Sequence, residues 1–406
     1  MGLTLHNFDF DSFQSLHLPS ICDKLGLLES SVEAIRPCTP PQAGMLASFI
    51  NSEGLLYFNS LTLKSPTPLN LIALRLVWES VMERNEMLRT GFCDVKDDIF
   101  PFAMVTYRPG VIELPWNECL SPPKSMSDAR REQHLNGKSI LNQLHRPPWF
   151  LIVKPCSHYT LIQLSAHHAL YDAHSMNLIL SEVINVYNGS TLPPAIPVSP
   201  VLGFIVEKFQ SRESESYWSE VGPSFSATKF PDMNPVHAKV NDTRFLSRDC
   251  SFTMEKLQKG CRELGVTLQA LGQAAWSRIL SSYLGESTVT YGLVLSGRDI
   301  SEQAQDTAFP CLTTVPAQQN VEATNRELLQ QIMKSNAMAV KYQFTSLAKI
   351  QRLSKADSPL FDTLFVFQKL ASTDKQNPLW DVVEESSQTE VSGRSENGIC
   401  VMLTDI

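Results

Sequence analysis

Apolar residues recur with the spacing of an amphipathic helix in two parts of this chain, and a strand-like run follows each time. The first helix is predicted over 70–85, because an Asn that can cap it precedes apolar positions on one face. Residues 88–93 then predict a strand. A second helix is predicted over 267–284, and residues 289–296 predict the strand after it. This repeated order indicates an α/β protein with two similar lobes of about 200 residues each.

The best candidate for a linker between the lobes is a proline-rich segment. Residues 189–200 contain four prolines and follow the Asn-Gly pair that ends a predicted helix. We therefore predict an N-terminal lobe over 1–190, a linker over 191–205 and a C-terminal lobe over 206–406.

Two adjacent histidines lie between a predicted strand and a predicted helix. Residues 149–153 and 159–165 predict two strands of a hairpin-like pair, and the second leads directly into His167 and His168. Asp172 follows four residues after the second histidine, and the helix is predicted over 175–187. Histidine can exchange a proton near neutral pH, so this loop is the main candidate for chemistry.

Composition narrows the class of protein. The chain has 406 residues, 43% hydrophobic and 19% charged, with a net charge of −8, which is typical of a globular protein. The absence of a basic stripe argues against a nucleic-acid surface, and no apolar run reaches the ~20 residues of a membrane span. Nine cysteines without a CxxC pair favour reduced thiols in a cytoplasmic protein. No glycine-rich nucleotide-binding motif is present.

An ordered series of motifs resembles the condensation domain of nonribosomal peptide synthetases, and its style is similar to the fungal hydroxamate siderophore synthetases. The motifs run from about residue 37 to 368 and include the HHxxxD pattern of the histidine stretch. The matching segments are 37–46, 84–92, 165–175, 217–218, 291–298, 309–316, 342–347 and 360–365.

The resemblance implies a fold, a reaction and partners. The fold would be two lobes like chloramphenicol acetyltransferase subunits, arranged as a V-shaped pseudo-dimer with the active site where they meet. The reaction would be amide formation, in which the amine of an acceptor thioester attacks the carbonyl of a donor acyl thioester. Donor and acceptor carrier domains would deliver both on phosphopantetheine arms, so the domain itself would bind no cofactor. An adenylation domain would belong to the same synthetase, and the excised domain would be a monomer.

The resemblance also assigns roles to the residues of the histidine stretch. His168 would be the base or the group that positions the amine, with a satisfied core histidine as the alternative. His167 is expected to be a structural, hydrogen-bonded ring. Asp172 would be a scaffold carboxylate that pairs with Arg298, and Arg89 is the second candidate for its partner, because a buried carboxylate needs one.

Three further positions depart from the common pattern or are open to two interpretations. Ala173 stands where the family usually has Gly, so its backbone N–H can serve as an oxyanion donor only if the local backbone tolerates a Cβ. Ser175 fits the HHxxxDxxS form of fungal domains that end an assembly line by cyclisation, or it is a simple helix N-cap. Thr313 replaces an Asn of the fifth motif.

Alternative functions remain open at this point. The chain could be a terminal domain that cyclises or releases a carrier-bound peptide, or an inactive module that binds carrier domains. A zinc site built from His167, His168, Asp172 and His174 is a further alternative, but no accompanying metal motif supports it. The polar tail over 385–406 does not resemble the ending of the family, which suggests a truncated C-terminus.

Overall fold

A computed structural model describes residues 8–119, 135–230, 250–369, 379–386 and 399–405. Contacts divide the chain into two compact units. Unit 1 comprises Met1–Glu207, Ile300–Cys311 and Thr373–Thr389, and unit 2 comprises Lys208–Asp299, Leu312–Ser372 and Glu390–Ile406. The predicted linker at 191–205 assumes that each lobe is one continuous stretch of chain. In the structure, two later segments of the chain belong to unit 1. The second half of that predicted linker begins a helix, Ser199–Phe209.

Unit 1 contains two sheets. Its helices include α1 (Phe10–Leu25), α2 (Pro40–Asn51), α3 (Leu71–Arg84), α4 (Ala173–Tyr187), the short Glu302–Asp306 and most of α5 (Ser199–Phe209), whose last two residues belong to unit 2. Its strands, numbered along the whole chain, are β1 (Val32–Pro37), β2 (Phe58–Lys64), β3 (Thr90–Asp94), β4 (Phe102–Tyr107), β5 (Trp116–Glu118), β6 (Trp149–Pro155), β7 (Thr160–His167) and β11 (Asp381–Ser386). The sheet orders are β1-β4-β3 and β11-β2-β7-β6-β5.

The central position of β7 places the histidines at the end of a strand that is paired on both sides. β6 and β7 are antiparallel, which confirms the predicted hairpin-like pair. β2 pairs antiparallel with the other edge of β7, and His167 lies opposite Phe58 in that register. The alternating burial of β7 becomes continuous over its last four residues, because both faces are covered where the histidines begin.

The predicted helix over 70–85 is present as α3, and its sequence explains its position. Asn70 accepts a hydrogen bond from the amide of Ala73 and so caps the helix. Leu74, Val77 and Trp78 are among the buried residues of α3, at the spacing that places them on one face. This face packs into the core of unit 1, and α3 lies against α4.

Unit 2 is built around one four-stranded sheet with the order β12-β10-β8-β9. Its strands are β8 (Thr288–Leu295), β9 (Thr313–Asn320), β10 (Thr363–Lys369) and β12 (Ile399–Asp405), and its helices are α6 (Arg212–Val221), α7 (Met254–Leu264), α8 (Leu268–Leu284), α9 (Asn325–Tyr342) and α10 (Leu347–Leu353). The predicted helix over 267–284 is α8, which Thr267 caps and Gly285 ends at a φ of 71°. The polar tail thus contributes a strand, β12, which pairs parallel with β10.

Two further properties follow from the described residues. No helix among them is long and apolar enough to span a membrane. The cysteines from Cys22 to Cys311 are free thiols.

Candidate active site

The two histidines are held by the backbones of neighbouring segments. His167 is the last residue of β7, and its amide donates to the carbonyl of Pro148 at 2.9 Å. His168 opens a single 3-10 turn, His168–Leu170, and its amide donates to the carbonyl of Tyr57 at 2.8 Å. Tyr57 has a φ of 62°, a left-handed conformation that a bulky residue rarely adopts. Strained residues of this kind cluster at functional sites, so the backbone around His168 has the character of one.

The ring of His168 is oriented so that one nitrogen is available. Nδ1 lies 2.8 Å from the backbone carbonyl of Tyr171. A carbonyl only accepts, so Nδ1 carries a proton and the neutral ring keeps its lone pair on Nε2. The side chain is half-buried, and Nε2 has no hydrogen-bond partner among the residues that the structure describes. This arrangement suits a group that accepts a proton or holds an amine, and it differs from that of a satisfied core histidine.

The ring of His167, unlike that of His168, is enclosed by the protein. It is completely buried, and its Nδ1 accepts a hydrogen bond from the amide of Ala169 at 3.1 Å. Burial, and secondarily the neighbouring His168, lowers the pKa of His167 to about 3, so the ring is neutral near pH 7. The ring of Phe49 meets it edge to face, with 4.6 Å between ring centroids. These contacts fit a ring that supports the turn, although the structural role of His167 stays a prediction.

Asp172 holds the turn onto the following helix. It is the N-cap of α4, and its Oδ1 accepts from the amide of Ser175 at 2.8 Å. Its Oδ2 accepts from the amide of Cys311 at 2.9 Å, in the segment that returns to unit 1. The carboxylate is buried and accepts hydrogen bonds from both amides. Asp172 therefore has the geometry of a scaffold group, in line with the role predicted for it.

Ser175 completes the same cap. It is the third residue of α4 and is completely buried, and its Oγ accepts from the amide of Asp172 at 2.8 Å. The two residues form a capping box, so Asp172 occupies the N-cap position and Ser175 does not. The interpretation of Ser175 as a simple N-cap is corrected accordingly.

The two candidate partners of Asp172 differ. The guanidinium of Arg89 is buried in unit 1, where it contacts the carboxylate of Glu33 and the carbonyls of Glu83 and Tyr107. Arg89 is therefore not the partner of Asp172, because strand β4 and its surroundings already use its donors. Arg298 is a buried residue of unit 2 that follows Gly297, whose φ is 67°. Its pairing with Asp172 stays a prediction.

Ala173 is the first residue of α4, so its backbone is helical and its Cβ causes no strain. The side chain is exposed, and its N–H is one of the first-turn amides that a helix leaves without an internal acceptor. A helix N-terminus carries a partial positive charge that favours an anion. The replacement of Gly by Ala is thus compatible with an oxyanion donor at this position.

The structure bears on His174 and on the zinc site that was considered as an alternative. The Nε2 of His174 lies 2.6 Å from the carbonyl oxygen of Gln305, and its side chain is exposed on the first turn of α4. Within the described ranges, no group of three or more His, Cys, Asp or Glu residues is arranged to hold a metal ion.

The Thr313 of the fifth motif begins β9, and its hydroxyl donates to the side-chain oxygen of Gln343 at 3.1 Å.

Sequence reasoning missed Gln42, which supports the histidine loop. Gln42 is almost completely buried on α2, and its Nε2 donates to the carbonyl of Ala169 at 2.8 Å. Its Oε1 accepts from the amide of Thr39 at 2.9 Å, so the capping box of α2 fixes the side chain. Gln42 lies in the first family motif, which was the available signal. The contact itself joins residues that are far apart in the chain and could not be read from it.

The geometry defines a class of site. An imidazole with an available nitrogen lies in the turn that leads into a helix N-terminus, on an α/β scaffold. These are the requirements of acyl transfer: a proton acceptor for the nucleophile and donors for an oxyanion.

Residues 32–398 match the condensation domain family, and the chain belongs to this family. The resemblance seen in the motifs is thereby confirmed. Condensation domains of nonribosomal peptide synthetases are acyltransferases that form amide bonds.

Two curated relatives show which synthetases the chain is similar to. Over 392 residues the chain is 94% identical to nonribosomal peptide synthetase sidC of Arthroderma benhamiae, a match that covers 97% of this chain and 8% of that protein. It is 31% identical over 355 residues to the hydroxamate-type ferrichrome siderophore peptide synthetase of Schizosaccharomyces pombe, covering 85% and 7%. The chain thus spans less than a tenth of these curated relatives.

A solved structure confirms the predicted fold class. The condensation domain of the monacolin K polyketide synthase MokA superposes with a TM-score of 0.69 at 15% identity, covering 92% of this chain and 90% of that one. At this identity the likeness concerns the fold alone.

Proposed function

We propose that this chain forms an amide bond between a donor acyl thioester and an acceptor amine, each carried by a carrier domain, within a fungal siderophore synthetase. The observation that carries the proposal is the available Nε2 of His168, in the turn that leads to Ala173, the first residue of α4. The name of the Schizosaccharomyces pombe relative supports the siderophore context. The 94% identity to a sidC synthetase supports it further.

The acceptor nitrogen loses two protons when an ammonium group becomes an amide. An α-amino group has a pKa near ~8, so the protonated fraction first releases one proton to solvent, because only the neutral amine has the lone pair that attacks. Nε2 of His168 accepts the second proton from the nitrogen as the C–N bond forms at the donor carbonyl. The C–S bond then breaks, and the imidazolium returns the proton to the leaving thiolate. A positioned base contributes about 10²–10⁴-fold, and orientation of the two reactants can contribute more.

The developing oxyanion needs a donor, and the N–H of Ala173 is our candidate. It lies at the positive end of α4, whose first turn Asp172 and Ser175 fix through the capping box. A donor that is already in place needs no reorganisation during the reaction, and loss of one such donor typically costs about 10²–10³-fold in rate.

The proposal includes partners and surroundings. Phosphopantetheine arms of donor and acceptor carrier domains would deliver the substrates, already activated as thioesters, so the domain needs no cofactor of its own. An adenylation domain of the same synthetase would load them. We further propose a cytoplasmic protein that is monomeric when excised.

Neither alternative function gains support from the described residues. Ser175 is accounted for by its buried position in the capping box, so it adds nothing to the case for cyclisation. The helical backbone of Ala173 tolerates a Cβ, so the replacement of Gly does not by itself argue for an inactive carrier-binding module, and Thr313 is the remaining departure that motivates one.

The test is turnover of loaded carrier proteins by His168→Gln, followed by mass spectrometry of the product. We expect kcat to fall about 10²-fold or more, as for loss of a positioned base. His158→Gln is the matched control, because His158 is exposed on the turn between β6 and β7. Unchanged turnover in His168→Gln contradicts the proposal. A released macrocycle instead of a carrier-bound amide would support the terminal cyclising function.

A further inference from the structure

Tyr171 contacts the ring of His168 in two independent ways. Its backbone carbonyl accepts the hydrogen bond from Nδ1 at 2.8 Å. Its phenol ring stacks on the imidazole, with 4.8 Å between centroids and 8° between the planes. The same residue therefore controls both the protonated nitrogen and the plane of the ring.

The two contacts do different things. One hydrogen bond at Nδ1 selects the tautomer but lets the ring rock about the axis of that bond. A parallel aromatic ring removes this freedom, and stacked pairs of this kind shift an equilibrium by about 2- to 12-fold. Together the contacts hold Nε2 in one direction, as a base needs when its partner arrives on a flexible arm.

The phenol itself is fixed by a residue on another strand. Nδ2 of Asn59 donates to the hydroxyl of Tyr171 at 3.3 Å. Asn59 belongs to β2 and lies opposite Ala166 in the register with β7. Its position is thus set by the same sheet that positions the histidines.

Tyr171 also lines a small apolar cavity together with Trp78, Met176 and Ile179.

We infer that Tyr171, held by Asn59, is a positioning residue that fixes the tautomer and the ring plane of His168. The inference rests on the proposed function, since it concerns the same imidazole, and it adds two residues to which the family pattern of two histidines and an aspartate assigns no role.

The kinetic test compares two substitutions of Tyr171. Tyr171→Leu removes the ring but keeps the backbone carbonyl, and we expect kcat with loaded carriers to fall about tenfold at unchanged KM, the upper range for a lost stacked pair. Tyr171→Phe keeps the ring and removes the hydrogen bond from Asn59, and we expect a fall of about two- to threefold, in the lower range for a lost neutral hydrogen bond. Asn59→Leu should match Tyr171→Phe.

Tyr187→Phe is the matched control. The hydroxyl of Tyr187 accepts a hydrogen bond from the amide of Asn70 at 3.0 Å, at the far end of α4 from the histidine loop. This substitution also removes a tyrosine hydrogen bond in unit 1, so it should lower stability to a similar extent while leaving kcat unchanged.

A spectroscopic readout separates positioning from general stability. Tyr171→Leu keeps the carbonyl that selects the tautomer, so in protein with ¹⁵N-labelled histidine we expect the proton on Nδ1 of His168 in both the parent and the variant. The signal of His168 is assigned by its loss in His168→Gln. Loss of the stacked ring should instead increase the mobility of the imidazole, measured by ¹⁵N relaxation of the same signal. An unchanged ring mobility and an unchanged kcat in folded Tyr171→Leu would overturn the inference. If His168→Gln retains full turnover, the proposed function fails, and the mobility measurement still decides whether Tyr171 holds the ring.

Discussion

A strand leads into a polar turn in each unit, but the two turns present different chemistry. In unit 1, β7 ends at His167, and His168 begins a turn that continues into the capped helix α4. In unit 2, β8 ends at Leu295, and a glycine with a φ of 67° precedes the buried Arg298. Imidazole exchanges a proton near neutral pH, whereas guanidinium remains charged throughout the usual range. Under the proposed function, the turn of unit 1 would carry the proton transfer and the turn of unit 2 would carry a fixed charge.

The helix–strand pairs of the two units are a second instructive comparison. α3 followed by β3 has the same local order as α8 followed by β8. β3 nevertheless lies at the edge of the sheet β1-β4-β3, whereas β8 is an inner strand of the sheet β12-β10-β8-β9. The repeat is therefore real in local structure and does not extend to the position of the strand within a sheet.

The largest expected effect comes from the N-cap of the helix that carries the site. Asp172→Ala removes the acceptor of two amides, those of Ser175 and Cys311. Loss of a cap costs about 1 kcal/mol and an unsatisfied buried amide about 1–3 kcal/mol, so we expect the unfolding free energy to fall by about 2–4 kcal/mol. Turnover of loaded carriers should fall about 30-fold or more, because the turn with His168 loosens.

The matched change in unit 2 is Thr267→Ala. Thr267 caps α8 through a single bond from the amide of Ala270. We expect the free energy of denaturant-induced unfolding of unit 2 to fall by about 1 kcal/mol and kcat to stay unchanged. If Thr267→Ala lowered kcat as much as Asp172→Ala, the N-cap of α4 would have no special role in supporting the site.

Acid should destabilise unit 1 through His167. Burial lowers its pKa to about 3 in the folded protein, against an ordinary value of 6.5. Between these pH values the unfolded chain binds a proton that the folded chain does not. The contribution to stability is therefore complete above about pH 6.5 and decreases by about 1.4 kcal/mol per pH unit as the pH falls, or about 2 kcal/mol at pH 5.

The measurement is urea-induced unfolding between pH 4.5 and 7.5 for the parent chain and for His167→Gln. We expect the variant to be less stable at pH 7.5. We also expect its unfolding free energy to depend less steeply on pH, because its unfolding takes up about one proton fewer in this range. Unit 2 is the internal reference, since its one histidine, His237, lies outside the described residues and its described part contains none. Parallel pH curves for the two proteins would show that His167 is not the acid-sensitive group.

The smallest of the three effects concerns a buried glutamine in each unit. Gln42→Met removes the bond to the carbonyl of Ala169 while it keeps the shape of the side chain. We expect kcat to fall about tenfold, the equivalent of about 1.4 kcal/mol, because a lost buried hydrogen bond is of this size and here it supports the turn of His168.

Gln273→Met is the corresponding change in unit 2. Gln273 is completely buried on α8, and its Oε1 accepts from the side chain of Asn336 at 2.7 Å. We expect this substitution to lower thermal stability by an amount similar to that of Gln42→Met without affecting kcat. A loss of kcat in Gln273→Met as large as that in Gln42→Met would argue against a specific support of the histidine loop.

The local elements of the site could be predicted because their causes lie close together in the chain. Asn70 and Thr267 precede apolar positions at helical spacing, and both cap the expected helices. The strand before His167 was recognisable by its apolar alternation. The start of α4 was predicted two residues late, at Ser175, because the carboxylate of Asp172 was interpreted as a salt-bridge partner and not as a cap.

Other features depend on contacts between distant residues. Arg89 was a reasonable candidate for the partner of Asp172 until the path of β4 placed the carbonyl of Tyr107 next to its guanidinium. The bond from Gln42 to Ala169 and the bond from Cys311 to Asp172 join segments more than a hundred residues apart. No periodicity or motif specifies such a pair.

The amino-acid order was enough to identify the family, the two α/β units and the strand, turn and helix that carry the histidines. Spacing, capping residues and short motifs act over a few residues, so they leave a legible pattern. The available nitrogen of His168, the neutral state of His167 and the support from Gln42 and Asn59 emerged from the folded protein. Burial and long-range hydrogen bonds set these properties, because both depend on which distant segments meet when the chain is packed.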